Sequence, residues 1–132
     1  MVQFGNPEGV CKFPGMSHYA KIGNILLIGG QVSVNESGEL IGKNDPAAQA
    51  RQVFQNLETI LTACGASKSN IVKLNTYLTD SSHRSATKAV RQEFLGQHCP
   101  VTTGFSVKEL ASPDFLIEVE AIAVLDEESC EE

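Results

Sequence analysis

Residues 116–125 read LIEVEAIAVL, and the fold turns on how that run is interpreted. Ten residues rich in β-branched and aliphatic side chains form a strand. Alternation then sends Ile117, Val119, Ala121 and Ala123 to one face, and Leu116, Ile122 and Val124 to the other. Both faces are apolar, so something must cover each.

Working back from this strand, Thr102 to Val107 gives another, separated from it by a loop holding Pro113. Ile71 to Thr79 (IVKLNTYLT) is a third, bounded by Ser69-Asn70 and Asp80-Ser81-Ser82. Tyr19 to Ile22 and Asn24 to Ile28 form two short strands around a Gly23-Asn24 turn, and Val32 to Val34 resumes an extended pattern. Gly29-Gly30 at the end of a strand signals a bulge or the close approach of another group to the backbone. With no G-x-G-x-x-G and no helix behind it, it is not a dinucleotide fingerprint, and no cofactor is implied.

Asp45-Pro46 has the chemistry of a helix start, Asp as N-cap and Pro at the first position. Ala50, Val53, Phe54, Leu57, Ile60, Leu61 and Cys64 then recur at helical spacing, and Gly65 follows where a left-handed cap is wanted. His83 to Leu95 is a second helix, with Ala86, Ala89, Val90 and Phe94 assigned to its inner face. The order is β-β-β-α-β-α-β-β: one α+β domain with a mixed sheet and both helices on one face. Residues 1–15 read as an irregular Gly- and Pro-rich arm, and 126–132 (DEESCEE) as an acidic tail. Two helices cover one face of a sheet that is apolar on both, and a bare apolar face calls for a second subunit. An oligomer is therefore expected.

Composition narrows the function. The chain has 132 residues, 42% hydrophobic, with a net charge of -6 and 6% aromatics without Trp. That is one globular domain, with neither the basic surface nor the aromatic platform of a nucleic-acid binder. No run approaches a membrane span, and the first 20 residues lack the pattern of a signal or transit peptide, so a cytoplasmic location is expected. Cys11, Cys64, Cys99 and Cys130 form no C-x-x-C pair, and His18, His83 and His98 have no metal-ligand spacing, so no metal is expected. His98-Cys99 are adjacent on an extended chain, where side chains point apart, and do not make a nucleophile–base pair.

Gly23-Asn24 leading to Gly30-Gln31, then Gln49-Ala50-Arg51-Gln52 with Asn56-Leu57, Val72-Lys73-Leu74 to Tyr77-Leu78-Thr79-Asp80, and the closing Ile117 to Val124 come in an order that resembles the RidA/YjgF family. These are the reactive intermediate deaminases, also labelled endoribonuclease L-PSP. The resemblance spans roughly residues 14–125. It implies a chorismate-mutase-like fold and a homotrimer with three ligand clefts between subunits. Deaminating members hydrolyse 2-imino or enamino acids to 2-keto acids and ammonia. They hold the substrate carboxylate with an arginine fork in a P-x-R-[ST] context.

Here the corresponding run is Pro100-Val101-Thr102-Thr103, so Thr102 stands in the arginine's place. A hydroxyl donates one neutral hydrogen bond where the fork gives a charge-assisted pair. Met16 replaces the cleft tyrosine, Gly29 the serine before Gly-Gln, and Lys88 the asparagine of the second helix. Glu118 matches the acid that positions or activates water.

Each candidate has a functional and a structural reading. Glu118 either orients a water for attack on C=N or accepts structural hydrogen bonds near a subunit seam. Thr102 and Thr103 either bind a ligand's carboxylate or phosphate or are ordinary strand threonines. His18 is either an acid–base group or a strand-edge residue without a role. Lys88 either restores the missing charge or faces water. Gly29 and Gly30 either border the ligand or simply form a bulge. The functional expectation is a small-molecule-binding protein of this family without typical 2-imino acid deaminase activity. The alternative is an imine or enamine hydrolase with a different substrate, using Glu118 and water. A ribonuclease is disfavoured by charge and composition.

Overall fold

In the computed structural model, which describes residues 1–126, six strands form one sheet in the order β1-β2-β3-β6-β4-β5. They are β1 (Val2–Gly5), β2 (Tyr19–Ile22), β3 (Ile25–Gln31), β4 (Ile71–Leu78), β5 (Val101–Ser106) and β6 (Ile117–Val124); helix α1 (Pro46–Ala63) precedes β4 and α2 (Arg84–Leu95) follows it. Only β4 and β5 run parallel, joined by the α2 crossover. Of the acidic tail, residues 127–132 lie outside the described residues.

Helix α1 starts as its sequence dictates. The Asp45 carboxylate accepts the Ala48 N–H at 3.1 Å, and Pro46 takes the first turn. Its apolar stripe is the core. Val53, Leu57, Ile60 and Leu61 are fully buried, with Phe54 stacked on Phe94 of α2 at 5.0 Å. Under them lie Leu26, Ile28, Leu74, Ile117, Val119, Ala121 and Ala123. The face assignment of β6 read from alternation therefore holds.

Three local readings are corrected. The arm is not wholly irregular: Val2–Gly5 pairs antiparallel with β2, from Val2 opposite Ile22 to Gly5 opposite Tyr19. The run VQFG carries too little apolar alternation to announce itself, and β2's free edge supplies the pairing. Conversely, Val32 to Val34 forms no strand, only an isolated bridge between Val34 and Leu40. The side-chain amide of Asn56 takes up the carbonyls of Val32 and Val34, both at 3.1 Å, in place of a neighbouring strand. On α2, Thr87, Val90 and Leu95 face inward and Ala89 is exposed. Thr87 hides its hydroxyl by donating to the His83 carbonyl at 2.9 Å, so a polar residue takes the inner position.

The opposite sheet face is bare. Ile25, Leu27, Val124 and Phe105 are 37–50% exposed on it. Among them sits a polar cluster in which Glu120 accepts from Tyr77 Oη at 2.7 Å and Asn75 Nδ2 at 3.0 Å. Asn75 Oδ1 is buried without a partner. Among the described residues no helix is long and apolar enough to cross a membrane. Cys11, Cys64 and Cys99 carry free thiols.

Candidate functional site

The Gly29-Gly30 step is a β-bulge. Ile28 pairs with Ala121 and Gln31 with Val119, so β3 spends three steps where β6 spends two. The bulge turns the Gly30 backbone toward Glu118. A Cβ on Gly30 would overlap Glu118 Oε2 and come within 2.7 Å of its Cδ, so only glycine lets the carboxylate lie there. Both sequence readings of these glycines, bulge and close approach, describe the same place.

Beside that contact is a cavity of about 170 Å³. Phe13, Met16, Val32, Ala111 and Phe115 give it apolar walls. Asn6, Ser17 and His18 add polar atoms, with Gly29, Gly30 and Glu118 completing the lining. Among the described residues no Lys or Arg lines it. Glu118 is half-buried, and among the described residues no hydrogen-bond donor reaches its carboxylate. Burial, and after it the charge of Glu120 two residues along the strand, pushes its pKa above the ordinary carboxylate value. Tyr77, directly across from Glu118 on β4, is also raised, first by its hydrogen bond to Glu120.

His18 lines this cavity, but both ring nitrogens are engaged. Nε2 donates to the Cys11 carbonyl at 2.6 Å, and Nδ1 accepts from Gln31 Nε2 at 3.1 Å. A carbonyl can only accept, so this network assigns the proton to Nε2. The imidazole pins the arm to β3 and has no nitrogen left for a ligand while these bonds hold. Residues 6–13 of the arm, placed by this clamp, contribute Asn6 and Phe13 to the cavity. Composition did not mark them, nor Ala111 and Phe115 in the loop before β6. That loop is held by Gln49, fully buried on α1, which donates to the Asp114 carbonyl at 2.9 Å and accepts the Leu116 N–H at 2.8 Å. The residues Gln49 and Asn56 thus shape the cavity from behind without touching it.

Thr102, Thr103 and Lys88 lie elsewhere. Thr102 pairs with Leu74 and Thr103 with Asn75, so the two hydroxyls point to opposite faces and do not act as a pair. Thr103 receives Lys73 Nζ at 3.0 Å on the open face. Exposed Lys88 lines a separate groove of about 160 Å³ with Arg84, Arg91, Thr76 and Gly104. Glu118 is level with Tyr77 and Phe105, while Thr102 lies two strands across and three residues along. That is about 10 Å in each direction. Within one chain, Thr102 is therefore well separated from Glu118.

A family model described as Endoribonuclease L-PSP matches residues 13–125. The chain belongs to this family, the RidA/YjgF family. Among its relatives, a RutC family protein of Pyrococcus horikoshii is 37% identical over 108 residues, covering 81% of this chain and 84% of that protein. A protein of Escherichia coli strain K12 named 2-iminobutanoate/2-iminopropanoate deaminase is 35% identical over 106 residues, covering 78% and 81%. Of solved structures, a protein from Thermotoga maritima described as a putative endoribonuclease superposes with a TM-score of 0.89 at 29% identity, covering 96% of this chain and 99% of that one. The single α+β domain with a mixed sheet and two helices is the RidA/YjgF fold.

Proposed function

We infer that this RidA-family chain binds a small molecule in clefts between the subunits of a homotrimer, and that it lacks the typical 2-imino acid deaminase activity. One observation carries the reading: the cavity at Glu118 contains an acid and no cation. An anionic imino acid entering it meets a like charge and nothing to hold its carboxylate. Thr102, at the family's arginine position, offers a neutral hydroxyl and faces away from the cavity within one chain.

The bare apolar sheet face supports the trimer, since burying Leu27, Val124 and their neighbours in a second copy removes an exposed patch. A cleft between subunits also gives the separated Glu118 on β6 and Thr102 on β5 a way to face one ligand. The half-buried acid beside an open cavity favours a second reading, imine or enamine hydrolysis of a different substrate with Glu118 handling water. The test is turnover of 2-iminopropanoate and 2-iminobutanoate, generated by an amino-acid oxidase and followed by semicarbazone trapping. Little or no acceleration is expected. Turnover matching an arginine-bearing family member overturns the reading, and its abolition by Glu118→Gln then favours the hydrolase.

A further inference from the structure

Arg84, Lys88 and Arg91 stand at i, i+4 and i+7 on helix α2 and so share one stripe. The steps between them are about 6 Å and 4.5 Å along the axis. Like charges at this spacing work against a helix. Yet a chain with a net charge of -6 places three of its 10 basic residues there. Glu93, the one acid on α2, lies about 200° round the helix from Arg91. Asp80, ahead of the helix, accepts the Ser82 N–H at 2.8 Å. Among the described residues none of the three cations has an ion-pair or hydrogen-bond partner.

The stripe walls a groove of about 160 Å³ between α2 and the β4–β5 pair. Thr76 and Gly104, which are register partners, line it from the helix-covered side of the sheet, away from the bare face. The groove shares no residue with the Glu118 cavity, and Thr102 is not among its walls. No Asp or Glu lines it among the described residues. Of its two hydroxyls, that of Thr87 is spent on the His83 carbonyl. Thr76 is only 9% exposed, and its hydroxyl has no hydrogen-bond partner among the described residues. A buried hydroxyl left unpaired is costly, and a group entering the groove would pair with it.

We propose that this groove binds a phosphate group, its oxygens held by the Arg84 and Arg91 guanidinium forks, the Lys88 ammonium and the Thr76 hydroxyl. A carboxylate has two oxygens and one charge, which a single fork satisfies. A phosphate monoester brings three acceptor oxygens and about -1.5 to -2 charges. That is the match for three cations and a hydroxyl, and the long flexible stems of Arg and Lys let their charged ends converge. The inference is independent of the reading of the Glu118 cavity.

Isothermal calorimetry on the full chain at neutral pH and about 50 mM salt compares phenyl phosphate, inorganic phosphate and benzoate. Phenyl phosphate is expected to bind with a Kd below about 1 mM, at least about tenfold more tightly than benzoate, and more weakly as salt is raised. Phenyl phosphate binding more tightly than inorganic phosphate identifies an ester as the natural ligand, and equal binding identifies the free ion. Arg91→Gln is expected to weaken binding at least about tenfold, and Thr76→Val, which removes the hydroxyl and keeps the shape, by about threefold or more. Arg84→Gln, at the exposed start of α2, gives the same readout should Arg91→Gln fail to fold. Lys43→Gln, an equal loss of charge away from the groove, is expected to leave binding unchanged. Benzoate binding as tightly as phenyl phosphate, a response that Arg84→Gln and Arg91→Gln weaken no more than Lys43→Gln, or no phosphate response up to about 10 mM overturns the proposal.

Discussion

Replacing Gly30 by alanine separates the fold from the site. The added methyl overlaps Glu118 Oε2 and approaches Cδ to 2.7 Å and Cγ to 3.0 Å. Ordinary contact begins near 3.4 Å, so the carboxylate oxygen must retreat by about 1.6 Å or swing to another rotamer. Everything in the way is the far part of one flexible side chain, and Gly30 does not have positive φ. Overpacking costs roughly 1–3 kcal/mol in a rigid core, and its lower end applies where a side chain can yield. Against it stands about 0.4–1 kcal/mol gained by restricting the unfolded chain. The net expectation is a loss of about 0–1.5 kcal/mol, with the carboxylate displaced from its half-buried place. Calorimetry reads the first quantity. A ¹³C-carboxyl NMR titration of Glu118 reads the second, with the pKa moving down toward the ordinary range as the carboxylate gains solvent. A large fall in stability with an unchanged Glu118 titration would refute the claim that Gly30 exists to seat this acid.

Other outcomes follow from the same geometry. Phe54→Ala, at the buried stack with Phe94, should cost about 3–5 kcal/mol, and an unchanged melting temperature would show the stack carries nothing. Glu118→Gln should stabilise the protein at neutral pH. The folded-state pKa of Glu118 lies above its unfolded value, so its favourable contribution is full below the unfolded pKa and lost as pH rises through the folded one. Melting curves should show the variant's advantage at about pH 7–8 shrinking toward about pH 4; an advantage independent of pH contradicts the assignment. Light scattering at micromolar concentration should give about three times the 14.2 kDa chain mass, and a monomer would remove the argument from the bare face.

The sequence was most legible where one physical signal dominates. Asp45-Pro46 with the Val53–Leu61 stripe announces α1 because capping, periodicity and burial agree. β6 is legible because alternation on a two-sided apolar strand has one solution. β1 was not, because an edge strand is made by its partner, and Val2–Gly5 carries no inner-face signal of its own. The site divides similarly. Gly29-Gly30 and Glu118 were identifiable, since a glycine pair ending a strand and an acid within an apolar strand are both locally unusual. Phe13, Ala111 and Phe115 reach the cavity from loops. The clamp of His18 on Cys11 and Gln31, and of Gln49 on Asp114 and Leu116, puts them there. Those are contacts across up to 67 residues of chain that no local pattern encodes. Thr102 and Thr103 looked like a pair in sequence, and strand alternation separates them.

The most direct measurement is kcat/KM for 2-iminobutanoate, side by side for this protein, its Thr102→Arg variant and an arginine-bearing family member. Loss of a charge-assisted pair at a desolvated site costs roughly 2–5 kcal/mol, about 30- to several thousand-fold in rate if the pair acts in the transition state. The expected value for this protein is lower than the relative's by at least that factor of about 30. Thr102→Arg should recover only part of it, because Met16, Gly29 and Lys88 remain and residues that act as a unit do not restore function singly. A wild-type value equal to the relative's would contradict the account, since a cavity holding an acid and no cation would then be handling an anionic imino acid at full rate.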